Sequence, residues 1–197
     1  MLQTDNALCR SFKTVTPFPF LNQVFTRLYE EIQWVRMNNI HTCWFTQNGC
    51  KCHYKYGNKS FAPHAFTPLL SRLAEQLAKI TNQPGFNSCN TNLYKNSYTS
   101  LGMHSDDEWL FGNKTDSKTI VSFSLGAARD FNIFINKEGR TISHKIAHGE
   151  ILTMEQLFQL ECLHGVPVAP SVDSPRINLT FRNVVNHECT CPCLLGS

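Results

Sequence analysis

The stretch GMHSDDEWLFGNK, residues 102–114, sets one imidazole, His104, just ahead of three acids, Asp106, Asp107 and Glu108. A solvated turn accounts for such a run, and H-x-D recurs by chance in many chains. A metal site accounts for it better if partners exist elsewhere. On a strand, residues i and i+2 point to one face, so His104 and Asp106 would project side by side and Ser105 away. A neutral imidazole and a carboxylate so placed can grip two adjacent positions of a metal ion. A third ligand must come from a distant segment. His164, in ECLHGVPV before a glycine and a proline, is the leading candidate; His41, His53, His64, His144, His148 and His187 compete for the place.

RINLTFR, residues 176–182, raises a second question. Read with period two, Arg176, Asn178, Thr180 and Arg182 share one face, and Ile177, Leu179 and Phe181 the other. An ordinary sandwich strand would turn the polar face to water. Two arginines on one face can instead line a closed pocket and clamp a small dianion. Their Cα atoms would be roughly 20 Å apart. With side chains reaching about 6 Å each, a gap of roughly 8 Å remains, which suits a five-carbon diacid. The planar guanidinium fork binds carboxylates through paired hydrogen bonds. Two histidines and one carboxylate on one face of an octahedron leave three positions open, the facial triad of non-haem Fe(II) oxygenases.

These side chains must be positioned by a single chain of 197 residues, long enough to bury a core without disulfides. Hydrophobic residues make up 42%, the mark of a globular protein, and the charge of +3 permits an anionic partner without demanding one. No segment is apolar enough to span a bilayer, and the N-terminus lacks the apolar core of a signal peptide. The expectation is an intracellular protein, in cytoplasm or nucleus, whose nine cysteines are mostly reduced.

Residues 1–16 read as a loose lead-in. Helical spacing of Leu21, Val24, Phe25, Leu28, Ile32 and Val35 predicts an amphipathic helix over 20–35. A second helix starts at Thr67 as cap and Pro68 as first residue, carries a stripe of Leu69, Leu70, Leu73, Leu77 and Ile80, and ends at NQPG, 82–85. Beyond it the period shortens to two. Strands are predicted over 90–94, 101–106, 119–126, 129–136, 141–146, 150–154 and 176–185, with NKEG, 136–139, as a hairpin turn. Two helices followed by about seven strands predict an α+β, mainly β chain: a jelly-roll core with helices buttressing one face.

NLY (92–94), HSDDE (104–108), SLGAARDF (124–131), His164 and RINLTFR (176–182), in this order and spacing, closely resemble the AlkB-type 2-oxoglutarate- and Fe(II)-dependent dioxygenases. The match runs from about residue 40 to 185. The resemblance implies a double-stranded β-helix and oxidative demethylation of nucleic-acid bases such as 1-methyladenine or 3-methylcytosine. It implies that His104, Asp106 and His164 bind Fe(II), and that Arg176 pairs with the distal carboxylate of 2-oxoglutarate. Arg182 would lie near the metal-binding end of that cosubstrate, and Asn92 and Tyr94 would hydrogen-bond it. Asp107 matches a position that contacts the flipped base, and Glu108 adjoins it. Arg129 receives no role.

A base inside a duplex must be flipped out or come from a single strand. WFTQNGCKCHYKYGNK, 44–59, interleaves Trp44, Tyr54 and Tyr56 with Lys51, Lys55 and Lys59, a pattern suited to stacking and phosphate contact. It lies where AlkB-like proteins carry a nucleotide-recognition lid. Trp44 either stacks on the base or packs beneath the loop. The expected single-domain layout is helices and lid over 17–85, dioxygenase core over 86–185 and a Cys-rich tail over 186–197. The expected partners are dioxygen and RNA or DNA, single-stranded by preference because no duplex-penetrating hairpin is evident, and the expected state is a monomer. The tail, HECTCPC, reads as free, oxidisable thiols; it and a second, separate cluster of Cys50, Cys52 and His53 each offer soft zinc ligands, though C-x-C is not the usual spacing. Other readings are a hydroxylase or demethylase of a protein side chain or small molecule, and a nucleic-acid-binding module without turnover.

Overall fold

The computed structural model describes residues 2–13, 20–116 and 118–194. Residues 14–16 of the expected lead-in, the first three residues of the expected 17–85 segment and the last three of the tail lie outside this range.

Helix boundaries follow local chemistry. The second predicted helix is present as Pro68–Thr81. Thr67 Oγ1 accepts the Leu70 N–H at 3.2 Å, and Asn82, with a left-handed φ of 54°, returns its N–H to the carbonyls of Ala78 and Lys79. Leu70, Leu73 and Leu77 are buried from this helix, worth about 1.5–3 kcal/mol each in transfer terms. The first helix spans Leu21–Glu31, shorter than its apolar period suggests. Ile32 is already extended, the Trp34 indole N–H donates to the Tyr29 carbonyl at 3.0 Å, and Val35–Met37 forms a strand. Trp34 thereby satisfies one of the orphan carbonyls of the last turn.

In chain order the strands are β1 (Leu2–Gln3), β2 (Ala7–Lys13), β3 (Val35–Met37), β4 (Ile40–Thr46), β5 (Tyr54–Tyr56), β6 (Lys59–Phe61), β7 (His64–Ala65), β8 (Ser88–Tyr94), β9 (Leu101–His104), β10 (Ile120–Gly126), β11 (Arg129–Ile135), β12 (Arg140–Ile146), β13 (Glu150–Gln156), β14 (Cys162–Val166) and β15 (Arg176–Arg182). The larger sheet has the order β1-β2-β13-β10-β15-β8-β4-β3, with β7 parallel to β4. The smaller has the order β12-β11-β14-β9. NKEG closes the β11–β12 hairpin as expected: Gly139 takes φ 63°, and the N–H groups of Glu138 and Gly139 converge on the Ile135 carbonyl.

One core lies between the sheets and joins Phe131, Ile133 and Ile146 to Ile120, Leu152 and Met154. A second joins the helices to the other face of the larger sheet, through Leu28, Leu70, Leu73 and Leu77 against Val121, Phe123, Ile177, Leu179 and Phe181. This is the jelly roll with helices on one face that the patterning predicts. The lead-in expectation is corrected: β2 pairs with β13 over seven registered positions, and Arg10 bonds Glu155 through Nε at 2.9 Å. The described part of the tail and the residue before it are held against the body of the protein. Val185 and Asn186 donate to the Leu110 carbonyl, and Lys55 pairs with Glu188 at 2.9 Å. No described helix is long and apolar enough to cross a membrane.

Leu77→Ala is expected to cost about 2–5 kcal/mol, because its side chain is enclosed between helix and sheet. Leu160→Ala, at a position 43% exposed, is expected to stay within about 0.5 kcal/mol. Urea midpoints of the two variants check the assignment, and equal midpoints contradict it.

Candidate active site

β15 has water on neither face. Its apolar residues meet the helices, and Arg176, Asn178, Thr180 and Arg182 line a pocket between the sheets. Such a polar row must be satisfied internally. Arg176 Nε donates to Ser124 Oγ at 2.8 Å and Nη2 to Asn178 Oδ1 at 2.9 Å. Ser122 Oγ donates to Asn178 Oδ1 at 2.8 Å, and Asn178 Nδ2 to Thr180 Oγ1 at 2.9 Å. Antiparallel register sets Tyr94 opposite Arg176 and Asn92 opposite Asn178, so β8 adds Asn92 and Tyr94 to the same wall.

The smaller sheet supplies the opposite wall. His104 ends β9 and is registered with His164 on β14, with ring centroids 4.4 Å apart. Gly165 permits this approach: a Cβ there would sit 2.8 Å from the Leu101 carbonyl oxygen. The strand stops at His104, so Asp106 is not placed by strand alternation as the spacing suggests. Its backbone N–H donates to Gln159 Oε1 at 2.8 Å, and its carboxylate is 3.3 Å from Arg182 Nη1 and 3.5 Å from His104 Nε2. The ligand atoms of His104, Asp106 and His164 lie within 4.8 Å of one another. The other histidines that competed for the third place are occupied elsewhere or lie apart: His148 Nδ1 accepts the Gly126 N–H, His144 pairs with Glu150 and His187 contacts thiols.

The electrostatics suit a cation. Burial alone would raise the Asp106 carboxyl, but Arg182 and the two imidazoles outweigh it and hold it well below the usual carboxylate range. Burial pushes His164 down to about 3, so the ring is neutral. His104 Nδ1 is 2.8 Å from the Gly102 carbonyl; with the proton there, Nε2 keeps its lone pair. Two imidazoles and an ionised carboxylate so grouped fit an Fe(II)-type ion.

Two buried guanidiniums flank this cluster and differ in their partners. Arg182, 2% exposed, faces both Asp106 and Glu108 at 3.3 Å and lies 3.8 Å from the Phe111 ring centroid. It is committed to the protein's own acids, so the symmetric two-arginine clamp expected from the spacing is not formed. Arg176, 1% exposed, has no carboxylate within 4 Å among the described residues, and its Nη1 lacks a partner. Burial lowers its pKa. Asn92 Oδ1 is likewise buried and unpartnered in the same pocket. An uncompensated buried cation with a free N–H beside a metal-ligand cluster calls for an anion.

The expected substrate residues divide. Tyr56 lines the pocket, edge-on to His104 with centroids 6.1 Å apart. Tyr54 also lines it, but its hydroxyl donates to Glu108 Oε1 at 2.5 Å, so Tyr54 and Glu108 brace Arg182. Trp44 is corrected: at 1% exposure it cannot stack on a base. Its N–H donates to the Cys52 carbonyl and its ring stacks beneath Tyr54. The ring exposed next to the acids is Trp109. Asp107 pairs with Lys114 and faces an adjoining cavity that shares Asp106 and Arg182. Arg129, given no role from sequence, is buried and donates to the Thr99 and Pro167 carbonyls at 2.7 and 2.6 Å. Its guanidinium lies 5.4 Å from the Tyr94 centroid, with Arg176 at 5.0 Å from the same ring. The signal was present: strand period puts Arg129 on the face of Phe131, Ile133 and Ile135, all buried.

Arg182→Met leaves two buried carboxylates without their cation and is expected to destabilise the metal-free protein by about 3–5 kcal/mol. Adding Glu108→Gln should restore part of the loss. Chemical denaturation of the single and double variants measures it, and additive losses would contradict the pairing.

The pattern of the 2OG-Fe(II) oxygenase superfamily matches residues 5–182. The mouse protein named DNA oxidative demethylase ALKBH2 is 31% identical over 141 residues, covering 67% of this chain and 57% of that protein. The bovine alpha-ketoglutarate-dependent dioxygenase alkB homolog 3 is 29% identical over 187 residues, covering 83% of this chain and 61% of its own length. The chain therefore spans less than two-thirds of these relatives. The solved structure of OsALKBH1 superposes with a TM-score of 0.67 over 92% of this chain and 100% of that one, at 16% identity, and so speaks to the fold alone. With this match over most of its length, the chain belongs to the 2OG-Fe(II) oxygenase superfamily, as one of its AlkB-type members.

Proposed function

We propose that this chain is an Fe(II)- and 2-oxoglutarate-dependent oxidative demethylase of N-alkylated nucleic-acid bases, of the 1-methyladenine and 3-methylcytosine type. The observation that carries this reading is the shared pocket: the His104–Asp106–His164 cluster and the unpartnered Nη1 of buried Arg176 line one cavity. The name of the mouse relative, a DNA oxidative demethylase, supports the substrate class, and that of the bovine relative, an alpha-ketoglutarate-dependent dioxygenase, the cosubstrate.

When bound, iron with 2-oxoglutarate and dioxygen supplies the oxidising power that hydroxylates an N-methyl group, with succinate, carbon dioxide and formaldehyde as products. The protein's own part is binding, orientation and exclusion of water. His104, Asp106 and His164 would hold the metal. Asp106 is held ionised and His164 neutral, whereas burial lowers the His104 pKa but Asp106 outweighs it and raises it, so that ring would give up a proton on binding metal. Arg176 would take the distal carboxylate of 2-oxoglutarate, whose charge balances the buried guanidinium. Asn92 and Tyr94 would hydrogen-bond the cosubstrate from the same wall. Arg182 would keep Asp106 ionised and oriented at the metal-binding end. Tyr56 would offer its ring to the incoming base, with Asp107 and Trp109 at the rim. A single-stranded substrate presents such a base without the cost of unpairing.

Formaldehyde and succinate release from methylated oligonucleotides tests the proposal. Wild-type protein is expected to release both, and His104→Ala and Asp106→Ala neither. Arg176→Met should raise the KM for 2-oxoglutarate roughly 10- to 100-fold, as loss of a charge-assisted bond of about 1.5–3 kcal/mol requires. Turnover with a peptide alone would sink the nucleic-acid substrate and keep the chemistry.

A further inference from the structure

The cysteine-rich tail and the loop before β5 meet at a point distinct from the oxygenase pocket. Cys50 and Cys52 come from that loop; His187, Cys191 and Cys193 come from a segment more than a hundred residues later. The ligand atoms of Cys50, His187, Cys191 and Cys193 all lie within 4.8 Å of one another, and Cys52 Sγ is 3.6 Å from His187 Nδ1. We propose that Cys50, Cys52, Cys191 and the Nδ1 of His187 form a structural zinc site that ties the base of the lid to the C-terminal tail.

The distances carry this. Tetrahedral zinc, with Zn–S of about 2.3 Å and Zn–N of about 2.0–2.1 Å, sets sulfurs about 3.8 Å apart and sulfur and nitrogen about 3.6 Å apart. Cys50 Sγ is 3.8 Å from Cys191 Sγ and 3.6 Å from His187 Nδ1, and Cys191 Sγ is 3.4 Å from that nitrogen. These three distances match one face of such a tetrahedron, and Cys52 Sγ, 3.6 Å from His187 Nδ1, matches a further edge. The sulfur separation is far too long for a disulfide, and all nine cysteines are free.

Backbone donors are arranged for thiolates. The Glu188 N–H donates to Cys52 Sγ at 3.3 Å. Cys191 Sγ accepts the N–H groups of Lys51 and Cys193, and Cys50 Sγ accepts that of Cys52. Burial of Cys50, Cys52 and Cys191 leaves little water to solvate these sulfurs. Cys193 differs in being only half-buried, with its Sγ 3.4 Å from the Asn48 carbonyl oxygen. Cys52 and Cys193 both adjoin the other three donors; Cys52, fully buried and 3.6 Å from His187 Nδ1, is taken as the fourth ligand and Cys193 is the alternative. The site's consequence is mechanical. Cys52 precedes Tyr54 by two residues, its carbonyl accepts the Trp44 N–H, and Tyr54 braces Glu108 against Arg182.

Zinc content of the full chain is the test, measured under reducing conditions in a His104→Ala/Asp106→Ala background so that the oxygenase site cannot contribute. One zinc per chain is expected. Cys50→Ala, Cys52→Ala and Cys191→Ala should each abolish it, and Cys193→Ala should retain it. Because a thiol variant can fail to fold, the intact background protein is also stripped and titrated with Co(II), which should develop the intense visible and near-ultraviolet bands of tetrahedral thiolate-bound cobalt at one equivalent. Absence of both zinc and these bands overturns the proposal. Zinc kept by Cys52→Ala and lost by Cys193→Ala overturns the ligand set. Neither readout depends on demethylase activity.

Discussion

A guanidinium enclosed by protein is tolerated only where something answers its charge, and β15 encloses two. Arg182 is answered internally by Asp106 and Glu108. That pairing keeps Asp106 ionised, fixes Glu108 and through it seats the Tyr54 hydroxyl, so one ion cluster connects the acid of the His104–Asp106–His164 group to the 44–59 segment. Arg176 has hydrogen bonds to Ser124 and Asn178 but no counter-charge among the described residues, and Arg129, 5.4 Å from the Tyr94 ring centroid, adds a second cation. The pocket is thus electrostatically unfinished at one end and finished at the other. An anionic cosubstrate would complete it.

This arrangement needs a strand buried on both faces. Helix Pro68–Thr81 and helix Leu21–Glu31 cover one side of the larger sheet with leucines, which leaves the other side free to carry polar residues inward. The smaller sheet closes over that polar side and brings His104 and His164 into register. Polar groups in the gap hydrogen-bond to one another along β15, β10 and β8, and of the seven buried side-chain atoms left without partners among the described residues, four, on Asn92, His164, Arg176 and Arg182, belong to residues that line the pocket. Buried unsatisfied groups are costly in a stable fold, and their concentration here marks a place built for ligands.

The lid shows the same economy. Trp44, Phe45 and Tyr54 of the 44–59 segment serve the protein interior, and Tyr56 is left to face the pocket. A thiol cluster joins this segment to the tail, which returns beside Cys50 and Cys52.

Much of this was legible in the residues themselves. Thr67, Pro68 and Asn82 bound their helix by local hydrogen bonding, which no distant contact needs to arrange. Alternation along RINLTFR separated the helix-facing residues from the pocket-facing ones, because strand geometry alone sends neighbours to opposite sides. The order of HSDDE, His164 and RINLTFR carried the site through its resemblance to a family. Other features depended on partners far along the chain. β2 has no local reason to be a strand apart from β13, and β4, buried on nearly all positions, shows no alternation to read. Asp106 left its strand because Gln159 and Arg182 hold it. Whether Trp44 stacks on substrate or packs inside, whether Arg182 is free or committed, and whether the tail's thiols find those of the lid are questions of which surfaces meet. Residue spacing determines which side chains share a face; only the folded packing decides what that face is pressed against, because burial and charge pairing arise between segments remote in sequence.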